Sequence, residues 1–225
     1  MTEKLRQKIE SENYAVRFVV YLIGLFIMTL GVSMSVKSNL GVSPVSSIPY
    51  TITCIIGLEM GKATILFHIV LVILQIAILR KDFQAKNLLQ IIVGIVFGYF
   101  TTFSNYLFSF LPTPENLLIR LAMMLCSTVV IAFGIFLYLP ADIIPLAGEG
   151  AMKAISDKTQ VLFSKVKVCF DISMVAISLC ACLLILHRLG SVGAGTVVAA
   201  VLVGSILGVI NKLFGEQRDR VLQGA

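Results

Sequence analysis

The sequence predicts an all-α integral membrane protein with six transmembrane helices, and three observations carry this prediction. Hydrophobic residues make up 58% of the 225 residues and charged residues 13%, whereas soluble proteins contain about 45–50% and about 25%. The mean hydropathy is +0.97. Six apolar runs without an internal proline approach the roughly 20 residues of a membrane-spanning helix, at 16–36, 63–79, 88–111, 118–139, 168–186 and 192–210. This composition excludes a soluble enzyme and a disordered chain.

The two longest connectors are too apolar to be ordinary loops. Residues 37–62 and 140–167 mix prolines, glycines and hydroxyl-bearing side chains with apolar residues. Irregular backbone is tolerated within a bilayer only where protein or a water-filled cavity covers it. We therefore expect each connector to be a broken or re-entrant segment that lines a cavity. The alternative is a surface loop that ends in an interfacial helix.

The basic residues predict the orientation of the chain in the membrane. If the N-terminus is cytoplasmic, 14 of the 18 Lys and Arg residues fall in cytoplasmic segments and 4 in external ones. Because cytoplasmic loops of membrane proteins carry an excess of Lys and Arg, we expect both termini in the cytoplasm. The net charge of +6 then has an explanation that needs no nucleic-acid partner.

An internal repeat predicts the domain organisation. GKATILFH at 61–68 aligns with SKVKVCFD at 164–171, at an offset of 103 residues, and VGIVFG at 93–98 aligns with VGSILG at 203–208, at an offset of 110. Each half would hold three spans, so the second half would enter the membrane from the opposite side, as in the inverted repeats of secondary transporters. The alternative is chance similarity between apolar helices.

The repeat divides the chain into four parts. The first three-span repeat covers residues 16–111 and the second covers 118–213. Residues 1–15 are expected to form a cytoplasmic amphipathic segment, in which Leu5 and Ile9 lie four residues apart among charged side chains; a frayed tail is the alternative. Residues 214–225 are expected to form a cytoplasmic tail.

Several motifs indicate a family. LGVSMSVKSNLGVSP at 30–44 combines a glycine-ended span, a polar segment with lysine, and a lysine followed after two residues by Leu-Gly. The second half adds PLAGEG at 145–150, Lys165 six residues before Asp171, and Gly195-Thr196. In these features the chain resembles the bacterial YitT/YczE-type membrane proteins. The resemblance implies a multi-pass protein of the bacterial cytoplasmic membrane, but it gives no substrate.

Ionisable groups within apolar spans are the first candidates for a functional site, because each costs about 2.5–3.5 kcal/mol at the centre of a span. Asp171 is a candidate carrier of a coupling proton or Na⁺, and its alternative role is an ion pair with Lys167, four residues earlier. His68, at the equivalent place in the first repeat, is a candidate proton relay. Its alternative is a neutral, hydrogen-bonded packing residue.

The two connectors supply the remaining candidates. Glu149 lies between Gly148 and Gly150, which let the backbone approach a ligand closely, and it is a candidate for a coupling ion or a cationic group. Its alternative is a loop acid that pairs with Lys153. In the first half, Ser43, Ser46 and Ser47 offer hydroxyls and helix-terminal N–H groups for an anionic group, or they serve as helix caps only.

These observations favour a secondary transporter or facilitator of a small polar solute, coupled to protons or sodium. Two alternatives remain: a six-span substrate-binding subunit of an ATP-driven importer, and a non-transporting membrane scaffold or assembly factor. The chain lacks HExxH, GxSxG and Walker motifs, so we expect no enzymatic activity, no cofactor and no metal. The expected partners are the lipid bilayer and a small molecule or ion, with a homodimer left open.

Overall fold

The computed structural model describes the backbone of residues 3–223 and the side chains of residues 14–222. Within that range it is all-helical, without strands. Three short 3-10 helices follow α3, precede α4 and follow α5. The eight α-helices are α1 (Glu3–Ser38), α2 (Pro44–Ile56), α3 (Met60–Leu79), α4 (Leu89–Ser109), α5 (Leu117–Tyr138), α6 (Ala147–Thr159), α7 (Phe163–Leu186) and α8 (Ala194–Gln223).

Six segments are long and apolar enough to cross a bilayer, which confirms the predicted six-span, multi-pass membrane protein. They are Tyr14–Ser38, Met60–Asp82, Ala85–Ser109, Leu117–Ala141, Phe163–Leu186 and Ala194–Leu222. Helix α1 runs unbroken from Glu3 and α8 continues to Gln223, so residues 3–15 and 214–223 extend spanning helices instead of forming separate elements. The predicted amphipathic face of Leu5 and Ile9 lies outside the described side chains.

The two remaining helices, α2 and α6, are short and lie in the two connectors. Helix α2 starts at Pro44, whose ring suits a first helical position, and it ends at Gly57 in the left-handed conformation, whose N–H donates to Thr53 O. Its first residues pack within the bundle, whereas Ile56 at its end is exposed. Helix α6 likewise begins with buried Ala147 and Gly148 and ends at an exposed Thr159.

Helices α1 and α5 form the centre of the bundle and run antiparallel. A Cβ on Gly31 would lie 2.6 Å from Ile131 Cγ1, and a Cβ on Gly134 would lie 2.7 Å from the Met28 backbone N. Only glycine fits at either position, so the backbones of the two helices approach closely there. Small residues commonly allow this kind of packing between membrane helices.

The outer helices pack in a pattern that links the two halves of the chain. Helix α2 packs on α7 and α6 packs on α3, while α4 lies against α1 and α8 lies against α5. Helix α3 also packs on α4, where Gly61 and Gly98 meet. Among the described residues, α7 has no comparable interface with α8, and no atom outside the backbone of α8 lies within 4 Å of a Cβ built on Gly204 or Gly208.

Candidate functional site

A large cavity of about 1310 Å³ lies between the helices and is lined by residues from all eight α-helices. It opens at one end of the bundle, where Asp82, Lys86, Lys153 and Lys158 line its mouth and are exposed. We call this the lysine-rich end. Met60 and Thr64, in the first turns of α3, line the far side of the cavity.

The opposite end of the bundle is closed by two loops that hydrogen-bond to each other. Val42 N donates to Ser191 O at 3.3 Å, and Gly195 N donates to Leu40 O at 2.8 Å. Gly41 has a φ of 106°, which only glycine adopts readily, and it allows this close approach of the chains. These hydrogen bonds join the two loops across the end of the bundle opposite the exposed lysines, and we call this the sealed end.

Seven of the eight predicted site residues line this one cavity, although they come from distant parts of the sequence. They are Ser43, Ser46, His68, Gly148, Glu149, Gly150 and Asp171. Ser47 is the exception: it is buried, donates to Pro44 O at 2.6 Å and accepts a hydrogen bond from Ser178 of α7 at 2.9 Å. Ser47 thus holds α2 against α7.

Glu149 lies in the first turn of α6, outside the six spanning helices, and is half-buried at the cavity wall. It forms no ion pair among the described residues, and Lys153, its predicted alternative partner, does not pair with it. Burial raises the pKa of the Glu149 carboxyl, while the Tyr138 hydroxyl and Lys167 offset part of this rise. The carboxyl can therefore exchange a proton closer to neutral pH than an ordinary glutamate.

Two tyrosines hold the segment that leads into α6. Tyr21 OH donates to Ile144 O at 2.7 Å, and Tyr138 OH accepts a hydrogen bond from Leu146 N at 3.2 Å. Their rings lie 5.7 Å apart. This pair could not be predicted from the sequence, because tyrosines near the ends of spans are common and Tyr21 lies 123 residues from Ile144.

Asp171 forms the predicted alternative ion pair. Lys167 Nζ lies 2.8 Å from Asp171 Oδ2, and the aspartate side chain is 17% exposed. The second oxygen, Oδ1, is buried and has no hydrogen-bond partner among the described residues. One carboxylate oxygen is thus held by lysine, and the other remains without a protein ligand.

His68 is almost fully buried, at 4% exposure, in the wall of the cavity. Its ring stacks on Phe97 with centroids 5.8 Å apart and packs against Gly94, where no side chain intervenes. The alternative to a proton relay was a hydrogen-bonded packing residue, but Nδ1 has no hydrogen-bond partner among the described residues. Its packing role is clear, and its part in proton transfer stays a prediction.

Gly150 provides space for two buried glutamines. Gln75 Nε2 donates to Gln90 Oε1 at 2.8 Å and to Ala147 O at 3.3 Å, and a Cβ on Gly150 would lie 2.5 Å from Gln90 Oε1. The sequence predicted that the glycines beside Glu149 admit a ligand. At Gly150, the space is used by the glutamine pair, which fixes the first turn of α6 against α3 and α4.

Comparison with known proteins gives the family. Residues 15–212 match a family of unknown function, DUF6198. The chain belongs to this family. It is 26% identical over 199 residues to the uncharacterized protein YyaS of Bacillus subtilis (strain 168), an alignment that covers 86% of this chain and 91% of that protein.

A second relative agrees with the resemblance found in the sequence. The chain is 24% identical over 197 residues to the uncharacterized membrane protein YczE of the same organism, with 87% of this chain and 86% of that protein covered. This match confirms the predicted YczE-type family and agrees with the six spanning helices. No solved structure matches the chain.

Proposed function

We propose that the protein is a secondary transporter or facilitator of a small polar solute, which works by alternating access across a bacterial cytoplasmic membrane. The observation that carries this proposal is the cavity: exposed lysines line it at one end of the bundle, two hydrogen-bonded loops join across the other end, and the first turns of α2 and α6 border it. Secondary transporters bind their substrates near the membrane midplane at such broken helices.

The proposal includes an inverted repeat, which is supported by the spacing of the helices. Ala147, which begins α6, lies 103 residues after Pro44, which begins α2, and Phe163, which begins α7, lies 103 residues after Met60, which begins α3. Helices α2 and α6 each have 13 residues. The same spacing was obtained from the alignment of 61–68 with 164–171, which involved one of these pairs only.

Contacts between the halves give further support. Where two residues are in contact, the two residues at the equivalent positions, 103 away in the sequence, are in contact as well. Gly31 packs on Ile131, and the equivalent of that pair is Gly134 on Met28. Val45 lies next to Gly148, its own equivalent, with 3.5 Å from a Cβ built on Gly148 to Val45 Cγ1. A two-fold axis between the repeats would pass through this contact and through the crossing of α1 and α5.

One departure from this symmetry supports two conformational states. Helices α3 and α4 pack closely through Gly61 and Gly98, whereas their equivalents α7 and α8 lie apart, and Gly204 of α8 lines the cavity instead. In our proposal, the two pairs exchange these arrangements. Closure of α8 on α7 and separation of α3 from α4 would close the lysine-rich end and open the opposite end.

The orientation follows from the charge distribution. The open end carries the lysines of the loops that the positive-inside rule assigns to the cytoplasm. In our proposal, the described state therefore faces the cytoplasm, and both termini lie on that side.

Alternating access is tested by thiol accessibility. Ser46→Cys, on the cavity wall, is made in a variant that lacks the five native cysteines, and a membrane-impermeant thiol reagent is added to right-side-out and to inside-out vesicles. We expect labelling from both faces. Ser109→Cys and Thr159→Cys, exposed at opposite ends of the bundle, are the controls and should each label from one face only. Labelling of Ser46→Cys from a single face would favour a substrate-binding subunit or a scaffold.

A further inference from the structure

The deeper part of the cavity carries one negative charge that no basic side chain balances. Asp171 and Lys167 neutralise each other at 2.8 Å, and Glu149 forms no ion pair among the described residues. We count His68 as neutral, because a buried imidazolium without an acidic partner is costly. The other charged lining residues lie at the exposed mouth.

Among the described residues, the ionisable groups that face Glu149 do not neutralise its negative charge. Tyr138 of α5, Tyr21 of α1 and the paired Lys167 and Asp171 of α7 are the ionisable groups that act on it. The tyrosines carry no positive charge, and the lysine already has its own acid. A ligand that completes the site must therefore bring one positive charge.

The walls around the site indicate the kind of cation. Tyr21, Tyr138, Phe67 and Phe97 line the cavity, and aromatic faces attract ammonium groups at distances up to about 6 Å from the ring. No group of three or more His, Cys, Asp or Glu side chains among the described residues converges to hold a metal ion. The surroundings favour an organic cation with an apolar part over a bare metal ion.

The position equivalent to Glu149 in the first repeat carries no charge, so only one side of the cavity has a carboxylate of this kind. Ser46 lies 103 residues before Glu149 and lines the same cavity, but it contributes a hydroxyl, which accepts a hydrogen bond from Ser43 Oγ at 3.0 Å. The site is thus built from one carboxylate and one neutral hydrogen-bonding group. This arrangement suits a solute with a single positive charge and a neutral polar or apolar remainder.

We propose that the cavity binds a monovalent organic cation, such as a protonated amine, with its ammonium group on the Glu149 carboxylate and its apolar part against the aromatic wall. This inference rests on the proposed function, since it names the class of solute carried. When the cation binds to the protonated site, the Glu149 proton leaves to water in the open cavity. One positive charge enters as one departs, so cation and proton exchange.

The inference is tested by binding to the purified protein in detergent, which does not depend on transport. The probes are butylammonium chloride and tetramethylammonium chloride, with sodium chloride and sodium butyrate as matched salts, and the readout is thermal unfolding at pH 8 and pH 5. We expect a saturable rise in Tm of about 3 °C or more with the two ammonium salts at pH 8. The rise should shrink at pH 5, where a larger fraction of Glu149 carries a proton than at pH 8, and should be absent with both sodium salts.

Two variants locate the binding site. Glu149→Gln should lose the ammonium effect, whereas Asp157→Asn, an exposed acid of the same helix at the cavity mouth, should keep it. Equal stabilisation of Glu149→Gln and the native protein, a saturable effect of butyrate, or no saturable ammonium effect at pH 8 would each overturn the inference. If Glu149→Gln does not fold, the pH dependence in the native protein decides, since stabilisation that is unchanged at pH 5 would overturn it as well.

Binding and transport can fail separately. Ammonium binding with Ser46→Cys labelled from one face only would retain this site and reject the transporter. Labelling from both faces without ammonium binding would retain the transporter and reject this class of solute.

Discussion

Arg17 and Arg120 make the same contact at opposite ends of the central helix pair. Arg17 Nε donates to Ala141 O at 3.0 Å, and Arg120 Nε donates to Ser38 O at 2.8 Å. Arg120 lies 103 residues after Arg17, and Ala141 lies 103 after Ser38. Each guanidinium binds backbone carbonyl oxygen at the C-terminal end of the other helix of the pair, where carbonyl groups have no hydrogen-bond donor within the helix.

We expect Arg17→Gln and Arg120→Gln to destabilise the protein to a similar extent. Hydrogen bonds to charged groups contribute about 1.5–3 kcal/mol each, and each substitution removes the equivalent one. Arg80→Gln, at an exposed position, is the control and should leave stability nearly unchanged. The measurement is thermal unfolding in detergent followed by circular dichroism. A variant of either arginine that unfolds like the control would contradict the equivalence of the two contacts.

The central glycines should be much more sensitive than those of α8. Gly31→Ala and Gly134→Ala place a Cβ within 3.0 Å of partner backbone atoms, and overpacking of this kind costs about 1–3 kcal/mol. Gly204→Ala places its Cβ more than 4 Å from the described atoms outside the backbone of α8, and alanine favours a helix by about 0.8–1.0 kcal/mol over glycine. We therefore expect a lower Tm for the first two variants and an unchanged or higher Tm for the third. An equal fall in Tm for all three variants would show that Gly204 packs closely against another helix in the folded protein.

Glu149→Gln should stabilise the unliganded protein, and the gain should grow as the pH rises. Because the pKa of Glu149 is raised by burial, its contribution to stability is present while it is protonated and is lost as the pH rises through that pKa. Glutamine resembles the protonated acid and has no such loss. The difference in Tm between the variant and the native protein, measured at pH 5 and pH 8 without ligand, should be larger at pH 8. A difference that shrinks toward pH 8 would mean that the carboxylate is stabilised in the fold.

The pair of Lys167 and Asp171 should behave as a unit. Lys167→Ala leaves a largely buried carboxylate without its partner, and breaking a buried pair in this way costs about 3–5 kcal/mol, with less expected here because the lysine is half-exposed. Asp171→Asn in the same chain should restore most of the lost stability. A double-mutant cycle by thermal unfolding measures the coupling. Additive effects of the two substitutions would indicate that the pair contributes nothing to the fold.

Much of the fold could be predicted from hydrophobicity, but the ends of the helices could not. The apolar run predicted to begin at 168 belongs to a helix that begins at Phe163. Its first turns could not be recognised from hydrophobicity, because Lys165 and Lys167 interrupt the apolar pattern. Lys167 belongs to the helix nonetheless and pairs with Asp171. Helix α6 was placed within a connector for the same reason, since Glu149, Lys153 and its other polar residues mask a helix whose small residues are buried.

Local sequence matches predict the offset between the two repeats but not the contacts between distant residues. The offset of 103 from 61–68 and 164–171 recurs at the starts of α2 and α6. Contacts such as Tyr21 with Ile144, or Arg17 with Ala141, join residues more than 120 positions apart. One sequence does not reveal which distant residues meet, so these supports of the site emerged only from the fold.

Alternating access to one cavity can be tested by locking the sealed end of the bundle with a disulfide. Val42→Cys and Ser191→Cys, at residues joined by the 3.3 Å backbone hydrogen bond, are added to Ser46→Cys in the variant without native cysteines and oxidised to a disulfide. We expect that labelling of Ser46→Cys from the sealed face disappears, that labelling from the lysine-rich face persists, and that reduction restores labelling from the sealed face. Labelling from both faces despite the disulfide, or from one face before and after reduction, would contradict alternating access.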